Sequence, residues 1–336
     1  MTRVFSGIQP TGAKHIGNYL GALRPWVDGQ YKADCIYSIV DLHALTIPKD
    51  PADVRAATID TAALILAVGV DPDVAVLFAQ SHVPEHAQLS WLLEGTASFG
   101  ELGRMTAWKD KTAKGGESSA RSALFTYPVL MSADILLYDT DEVPVGDDQR
   151  QHVELARDLA QRFNHRYGET FVIPEARVPP PRLGARIMDL QEPTKKMSTS
   201  AASDAGVIRI NDDPKAIGRK IKRAVTDTET GPGSVRHAPD SKPGVASLIE
   251  LLATTTGRSV GEIEDSYTRY GDLKKDTAAA VVEVLSPIQA RYHEYLDDPG
   301  QIASTLAAGA DKARETASVT YARAADAMGL VPPIKR

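Results

Sequence analysis

Two polar segments, one near the start of the chain and one in its second half, hold residues suited to binding a polyphosphate. The first runs from Pro10 to Asn18 and reads PTGAKHIGN, and the second runs from Lys195 to Ser200 and reads KKMSTS. Glycines, a histidine and an asparagine mark the first, whereas lysines and hydroxyl side chains dominate the second. The pair in this order indicates a site that binds and activates a nucleoside triphosphate.

The first segment is predicted to lie at a turn between a strand, Arg3–Ser6, and a helix. Backbone N–H groups and the helix dipole at such a turn favour an anion. Gly12 and Gly17 lack a Cβ and so allow a ligand to approach the backbone. His15 and Asn18 add side-chain donors at the same place. A capped helix after a tight turn has the same composition, so both interpretations stay open for this segment alone.

The second segment has the composition of a mobile loop. Lys196 is a compact, rotatable cation, which suits a polyphosphate that must be held and then released. Most stretches of lysine and serine are solvated surface loops, and that interpretation also stays open for this segment alone.

The composition is that of an ordinary globular protein. The 336 residues allow two domains, and 43% are hydrophobic. The net charge is -6, so any contact with nucleic acid must come from local basic patches. The single cysteine, Cys35, excludes an intramolecular disulfide and a cysteine-rich metal site. With no apolar stretch of membrane-spanning length and no signal-peptide pattern, no membrane contact and a reducing, cytoplasmic setting are expected.

The predicted elements of the first half alternate in type. Strands at Arg3–Ser6, Cys35–Val40 and Val74–Ala79 are separated by the helix Pro51–Val68 and followed by the helix Glu85–Ser98. This alternation predicts a parallel sheet with crossover helices. In such a sheet ligands bind at the carboxyl ends of the strands, which is where the first polar segment lies.

The second half is predicted to be mainly helical. The later helices are Ser119–Leu137, Asp148–Phe163, Lys215–Val225, Gly244–Thr254, Val260–Tyr267, Leu273–Tyr295 and Gln301–Met328. Pro128 is expected to end or kink the first of these, and Pro174–Leu183 is expected to be an extended connector. The predicted fold class is therefore α/β, with a Rossmann-like parallel-sheet domain at 1–200 and an all-α domain at 201–336.

The two polar segments match the HIGH and KMSKS signatures of class I aminoacyl-tRNA synthetases, and longer stretches resemble the bacterial tryptophanyl-tRNA synthetases. These stretches are Phe5–Gly12, His15–Ala22, Val40–Ala44, Gly100–Thr106, Tyr127–Tyr138, Val143–His152 and Gly184–Met188. The resemblance covers nearly the whole chain and loosens after about residue 230. It implies that the 1–200 domain is catalytic.

This resemblance implies a two-step reaction. The carboxylate of L-tryptophan attacks the α-phosphorus of ATP and releases pyrophosphate, and tryptophan is then transferred to the 3′ end of tRNA(Trp). The first step needs mainly positioning and electrostatic stabilisation of the phosphates. Mg2+ is expected on the ATP phosphates, and no residue of the chain is named as a metal ligand.

The resemblance also implies roles for individual residues. The catalytic set is His15, Asn18, Lys111, Lys196, Ser198 and Ser200. The ATP-binding set is Gln9, Pro10, Thr11, Gly17, Asn18, Gly146, Asp147, Asp148, Ile187, Lys196, Met197, Ser198, Thr199 and Ser200. The tryptophan-binding set is Asp134, Phe5, Val40, His43, Met131 and Gln149.

Asp134 is the residue implied to accept the indole N–H of tryptophan. A site built around such a polar partner rejects analogues that lack it, which separates tryptophan well from phenylalanine and less well from tyrosine. The largely apolar flanks of Asp134 disfavour the alternative of a helix cap or a surface charge. His82, His86 and His152 are expected to be ordinary polar or core histidines.

The second signature departs from the family at Thr199, where a second lysine is usual. One cation is thereby lost on the pyrophosphate side, and Lys111, Lys195 and Lys196 remain to stabilise the triphosphate.

The helical half is where tRNA contact is expected. Lys215, Arg219 and Lys222 recur at helical spacing and share one face, which suits phosphate contacts. A solvated amphipathic helix would have the same pattern. The resemblance implies an anticodon-binding role for 201–336. It also implies a homodimer with its interface at about 90–165, and the apolar faces of Leu89–Phe99 and Leu124–Leu137 permit it.

Three alternative functions remain at this stage. The first is tyrosyl-tRNA synthetase, which shares the class and an aspartate in its side-chain pocket. The second is a nucleotidyltransferase that does not use tRNA, which the long helical half disfavours. The third is an auxiliary paralogue, to which Thr199 gives some weight, or an active isoform with altered inhibitor sensitivity. No editing domain is visible, in keeping with a side chain that binding alone can select.

Overall fold

A computed structural model describes residues 1–10, 14–115, 120–146, 149–178, 187–198 and 203–332, without the side chains of 111 and 113–115. The first half contains five strands: β1 (Arg3–Ile8), β2 (Asp34–Ile39), β3 (Val76–Ala79), β4 (Glu142–Pro144) and β5 (Glu175–Arg177). They form one sheet in the order β3-β2-β1-β4-β5, and every pairing is parallel. The predicted parallel sheet is therefore confirmed.

The helices of this half connect the strands. They are α1 (Ile16–Asn18), α2 (Arg24–Gly29), α3 (Pro51–Val68), α4 (Glu85–Glu94), α5 (Phe99–Gly103), α6 (Thr106–Gly115), α7 (Ser122–Leu136) and α8 (Arg150–Tyr167). From the middle of the sheet, strands β1, β2 and β3 follow one another to one edge, and strands β4 and β5 follow one another to the other edge. A crevice is expected between the carboxyl ends of β1 and β4, where this reversal occurs.

Several predicted boundaries differ from the structure. Strands β4 and β5 were not predicted, and β5 lies in the segment expected to be an extended connector. Both strands are only three residues long, too short for a hydrophobic period to be visible. The helix predicted to run to Ser98 ends at Glu94, and α5 and α6 follow it. Helix α7 continues through Pro128, so Pro128 does not end the helix, and the alternative that it kinks the helix stays a prediction.

The second half of the described chain is helical, as predicted. Its helices are α9 (Pro214–Lys222), α10 (Pro243–Thr256), α11 (Val260–Ser266), α12 (Tyr270–Asp297) and α13 (Pro299–Ala327). One hydrophobic cluster spans the predicted domain boundary, since Ile16 and Leu64 belong to the same cluster as Leu248 and Leu285. The helical half therefore packs directly against the α/β half.

Helix α13 returns to the sheet and packs against β3 and α4. A Cβ on Gly309 would lie 1.8 Å from the carbonyl oxygen of Leu77, so only glycine allows the helix backbone to come this close. Ala310 and Ala313 are buried beside it. An exposed edge strand is a site of unwanted pairing, and α13 covers the β3 edge.

Within the described residues, the structure has no helix that is long and apolar enough to cross a membrane. Cys35 is a buried, free cysteine.

Candidate active site

His15 is held in a defined orientation at the turn after β1. Its side chain caps α1, since Nδ1 accepts a hydrogen bond from the backbone N–H of Gly17 at 3.1 Å. The side chain of Asn18 accepts in turn from the backbone N–H of His15 at 3.0 Å. Because Nδ1 is an acceptor, the proton of the neutral imidazole lies on Nε2. His15 therefore presents an N–H donor on the side of its ring opposite the helix.

The charge state of His15 follows from its surroundings. Burial, followed by the positive charges of Lys196, Arg209 and Lys14, lowers the pKa of His15 to about 4. The imidazole is neutral at pH 7, so it acts as a hydrogen-bond donor without carrying charge. The influence of Lys196 on His15 also shows that the two signature segments approach each other.

The chain that follows the second signature docks onto the first. Ile16 donates its backbone N–H to the carbonyl of Ile208 at 2.9 Å, and Ile210 donates to the carbonyl of Lys14 at 3.0 Å. His15 and Arg209 form an antiparallel bridge between these segments. The backbone of the first signature is thus held in place by the entry to the helical half.

A small hairpin anchors the second signature. Met197 donates its N–H to the carbonyl of Ile187, and Asp189 donates to that of Lys195, each at 2.9 Å. Met197 is 1% exposed and belongs to the hydrophobic core, so it anchors the segment from below. Lys195 forms an exposed ion pair with Glu192, so its charge already has a partner on the surface.

Lys14 is a buried cation that sequence reasoning missed. Its Nζ donates to the backbone carbonyl of Gln9 at 2.8 Å. Burial, only partly offset by the charge of Asp60, lowers the pKa of Lys14 to about 8. This contact ties the two sides of the turn that carries Pro10, which is itself buried.

Asp134 lies on α7 and is 1% exposed, with three hydrogen-bond donors around its carboxylate. His43 Nε2 lies 2.8 Å from Oδ2. Gln80 Nε2 and His86 Nδ1 lie 2.6 and 2.7 Å from Oδ1. Burial alone would raise the pKa of Asp134, but attraction and hydrogen bonds from His43 and His86 outweigh it and hold that pKa well below its usual range. Asp134 is therefore an ionised, acceptor-only group.

His86 is fully buried, as expected for a core histidine, and both of its ring nitrogens have hydrogen-bond partners. Its ring lies between Asp134 and the hydroxyl of Tyr138, which is 2.7 Å from Nε2. His152 is buried and lies 2.9 Å from the hydroxyl of Tyr127, whereas His82 is exposed. Sequence reasoning missed Gln80, His86 and Tyr138. Only Gln80, which directly follows the buried strand β3, lies where the sequence places ligand-binding residues, at the carboxyl end of a strand.

The other residues of the predicted tryptophan-binding set lie on several elements of the α/β half. A Cβ on Gly7 would lie 2.9 Å from Cγ1 of Val40, so glycine lets Val40 pack against the strand. Phe5 is buried and stacks on Tyr138, with ring centroids 5.7 Å apart. Met131 is half-buried on α7, and Gln149 precedes α8.

Gln9 joins the two sides of the site. Its side-chain amide donates to the backbone carbonyl of His43 at 2.9 Å. His43 itself reaches Asp134, so a residue of the predicted ATP turn contacts a residue of the predicted tryptophan pocket. Direct contacts therefore join Gln9, His43 and Asp134, and His15 and Lys196 lie near each other at the start of α1.

Other predicted site residues are described only in part. Thr11, Asp147, Asp148, Thr199, Ser200 and the side chain of Lys111 lie outside the described residues. The carbonyl of Gly146 accepts from the N–H of Gln149 at 2.9 Å. Ser198 is half-buried next to the anchored Met197. Among the described residues there is no cluster of histidine, cysteine and carboxylate side chains that could hold a metal ion.

Comparison with known proteins gives consistent results over most of the chain. The family model for tRNA synthetases class I (W and Y) matches residues 1–286. The chain is 52% identical to tryptophan–tRNA ligase 2 of Streptomyces avermitilis, over 98% of this chain and 97% of that protein.

Solved structures agree with the sequence comparison. Tryptophanyl-tRNA synthetase from Mycoplasma pneumoniae superposes with a TM-score of 0.87 at 35% identity, covering 98% of each chain. The Campylobacter jejuni tryptophanyl-tRNA synthetase solved with ADP and tryptophan gives 0.85 at 35% identity, over 98% of this chain and 100% of that one.

The chain therefore belongs to the class I aminoacyl-tRNA synthetases of the tryptophan and tyrosine type. Its full-length similarity is to the bacterial tryptophan–tRNA ligases, which confirms the resemblance predicted from its signatures.

Replacing Gly17 by alanine should disable the His15 donor. The added Cβ would lie 2.9 Å from Cε1 and Nδ1 of the His15 ring, so the ring must move and lose its bond to the backbone. Removal of one well-placed donor costs on the order of a hundredfold in rate, and we expect that loss in amino-acid-dependent pyrophosphate exchange. Gly29→Ala, where no atom lies within 4 Å of the added Cβ, is the control. Equal rates in the two variants would contradict this role of Gly17.

Proposed function

We propose that the chain activates L-tryptophan with ATP and transfers it to the 3′ end of tRNA(Trp). The observation that carries the choice of amino acid is the buried, ionised carboxylate of Asp134. A carboxylate offers about four acceptor directions, and three donors occupy three of them. The fourth suits the indole N–H, and a side chain without a donor would leave it unpaired at a cost.

The ATP side of the site suits positioning and charge stabilisation. We propose that the Nε2–H of His15 and the ammonium of Lys196 contact the phosphates, at the turn that precedes α1. The neutral state of His15 lets it donate without repelling Lys196. In-line attack by the tryptophan carboxylate on the α-phosphorus then breaks the bond to pyrophosphate, and the site residues stabilise the charge that develops. We infer that Mg2+ arrives on the phosphates as part of the substrate.

The predicted ATP and tryptophan residue sets extend this proposal. We propose that Gln9, Pro10, Thr11, Gly146, Asp147, Asp148 and Ile187 hold the nucleotide, that Lys111, Ser198, Thr199 and Ser200 act with Lys196, and that Phe5, Val40, Met131 and Gln149 surround the amino acid. The contact between Gln9 and His43 supports a common site. We also propose a cytoplasmic location, and a functional division in which 1–200 is catalytic and 201–336 recognises the anticodon.

Amino-acid-dependent exchange of labelled pyrophosphate into ATP tests the first step. We expect exchange with tryptophan and none with tyrosine or phenylalanine. Lys196→Ala should reduce the exchange rate by about a hundredfold, because it removes a cation from the developing charge, while tryptophan affinity is retained. Lys32→Ala is the control, since this exposed residue lies just before β2, at the amino end of the sheet.

Three results would contradict these assignments. Exchange with tyrosine would show that the function is that of a tyrosyl-tRNA synthetase. Exchange with none of the three amino acids would favour an auxiliary, inactive paralogue. An equal loss of exchange and of tryptophan affinity in Lys196→Ala would contradict the role given to Lys196.

We further propose that the exposed face of α9 contacts tRNA phosphates. Ile217 and Ile221 are buried, whereas Lys215, Arg219 and Lys222 are exposed on the other side. Lys220 is not part of this face, since its Nζ lies 2.8 Å from both Asp204 and Asp212. The helix begins shortly after the segment that docks onto His15, which brings its charges near the catalytic half.

Reversing Arg219 and Lys222 to glutamate should separate the two steps. We expect pyrophosphate exchange to be spared, because neither residue lies in the site, and tRNA charging to fall by about tenfold as phosphate contacts are lost. A double variant with the same charge change, Lys32→Glu with Arg166→Glu, is the control. If tRNA charging by the Arg219 and Lys222 variant equals that of the control, the exposed face of α9 is a solvated surface that does not contact tRNA.

A homodimer is proposed from exposed aromatic residues in the predicted interface region. Leu89 and Leu124 of the expected apolar faces are buried within the chain's own core, so they are not available to a partner. Trp91 and Phe99, however, are 74% and 80% exposed, and Phe99 contacts Phe125 with ring centroids 4.7 Å apart. A second copy of this chain would cover this patch.

Sedimentation analysis tests the dimer. We expect a mass twice the 36.2 kDa of one chain, and a shift to monomer when Trp91 and Phe99 are both changed to glutamate, since charges at an interface core oppose association. Tyr31→Glu with Val319→Glu changes two exposed apolar residues elsewhere and should leave the mass unaltered. A wild-type monomer at micromolar concentration would refute the proposal.

A further inference from the structure

Gln80 is a fully buried side chain at the end of β3 that connects two other elements. Its exposed fraction is 0%. Its amide oxygen accepts the backbone N–H of Leu42 at 3.1 Å, and its amide nitrogen donates to Oδ1 of Asp134 at 2.6 Å. The amide can satisfy both partners in only one orientation, because a flipped amide would place its oxygen against the Asp134 carboxylate.

The two oxygens of Asp134 are thereby made unequal. Oδ1 receives two donors, Gln80 and His86, which occupy both of its acceptor directions. Oδ2 receives His43 and retains one direction. His86 cannot turn away easily, since the hydroxyl of Tyr138 holds its other ring nitrogen at 2.7 Å.

We propose that Gln80 is a positioning residue for amino-acid selection: with His86, it occupies Oδ1 of Asp134 so that Oδ2 alone accepts the substrate N–H. This inference rests on the proposed recognition of tryptophan by Asp134. Gln80 acts through Asp134, and its orientation is set by the backbone of Leu42. Selection thus depends on a residue of β3 as well as on α7.

The test compares two glutamines of equal burial. Gln80→Met keeps the side-chain length and removes both hydrogen bonds. Gln30→Met makes the same change at a residue that is 2% exposed and bonds Asp71 and Gly69 at 2.8 and 3.0 Å, at the amino end of the sheet. The readout is pyrophosphate exchange, with tryptophan and with its benzothienyl analogue, in which sulfur replaces the N–H.

We expect the preference of kcat/KM for tryptophan over this analogue to fall about tenfold in Gln80→Met, the factor for one net hydrogen bond to a charged group. The KM for tryptophan should rise while the KM for ATP stays constant. Gln30→Met should keep the wild-type preference even where it lowers thermal stability. A folded Gln80→Met that retains the preference would overturn the inference.

Two further variants make the outcome unambiguous. Gln80→Asn keeps a polar amide but is too short to bridge Leu42 and Asp134. It should lose the preference for tryptophan over the analogue, as Gln80→Met does. Gln80→Asn takes the place of Gln80→Met if the methionine variant does not fold. Asp134→Asn tests the proposed function itself. A wild-type enzyme with no preference for tryptophan would refute the role of Asp134, whereas a preference lost in Asp134→Asn but kept in both Gln80 variants would refute only the role of Gln80.

Discussion

The cost of burying one negative charge organises much of this structure. An isolated carboxylate cannot remain ionised in an apolar interior, where the loss of hydration must be replaced by fixed donors. Asp134 obtains these donors from three places: His43 after β2, Gln80 after β3 and His86 in α4. Because all three must reach one carboxylate, the carboxyl ends of these strands and the start of α4 have little freedom to shift against α7.

Ion pairs also connect residues beside the Asp134 network to the last helix, α13. Glu85 lies next to His86 and faces Arg314 of α13, with 3.5 Å between the charged atoms. Asp139 follows Tyr138, has a positive φ of 48° and pairs with Arg323 of α13 at 2.5 Å. A side chain in the left-handed region persists only where its surroundings hold it. The last helix therefore covers the sheet edge and also holds the two residues that flank the Asp134 network.

The features predicted best from the sequence are those that depend on residues close together in the chain. Helix α3 begins and ends as expected, because Asp50 caps its start at 2.8 Å and Gly69 takes a φ of 109° at its end. Strands β4 and β5 were missed because three residues carry no period. The donors Gln80 and His86 were missed for another reason: they are 54 and 48 residues from Asp134, and only tertiary folding reveals that a buried charge needs them.

The loss of the second lysine at Thr199 is best judged from where the other cations lie. Lys195 is paired with Glu192 at the surface, and Lys14 donates to the Gln9 carbonyl from a buried position. Neither is a simple replacement, because each already has a partner. We therefore propose that Lys196, whose charge contributes to the lowered pKa of His15, has to stabilise a larger share of the phosphate charge. Burial keeps His15 neutral, and on this proposal it donates to the same phosphates without repelling Lys196.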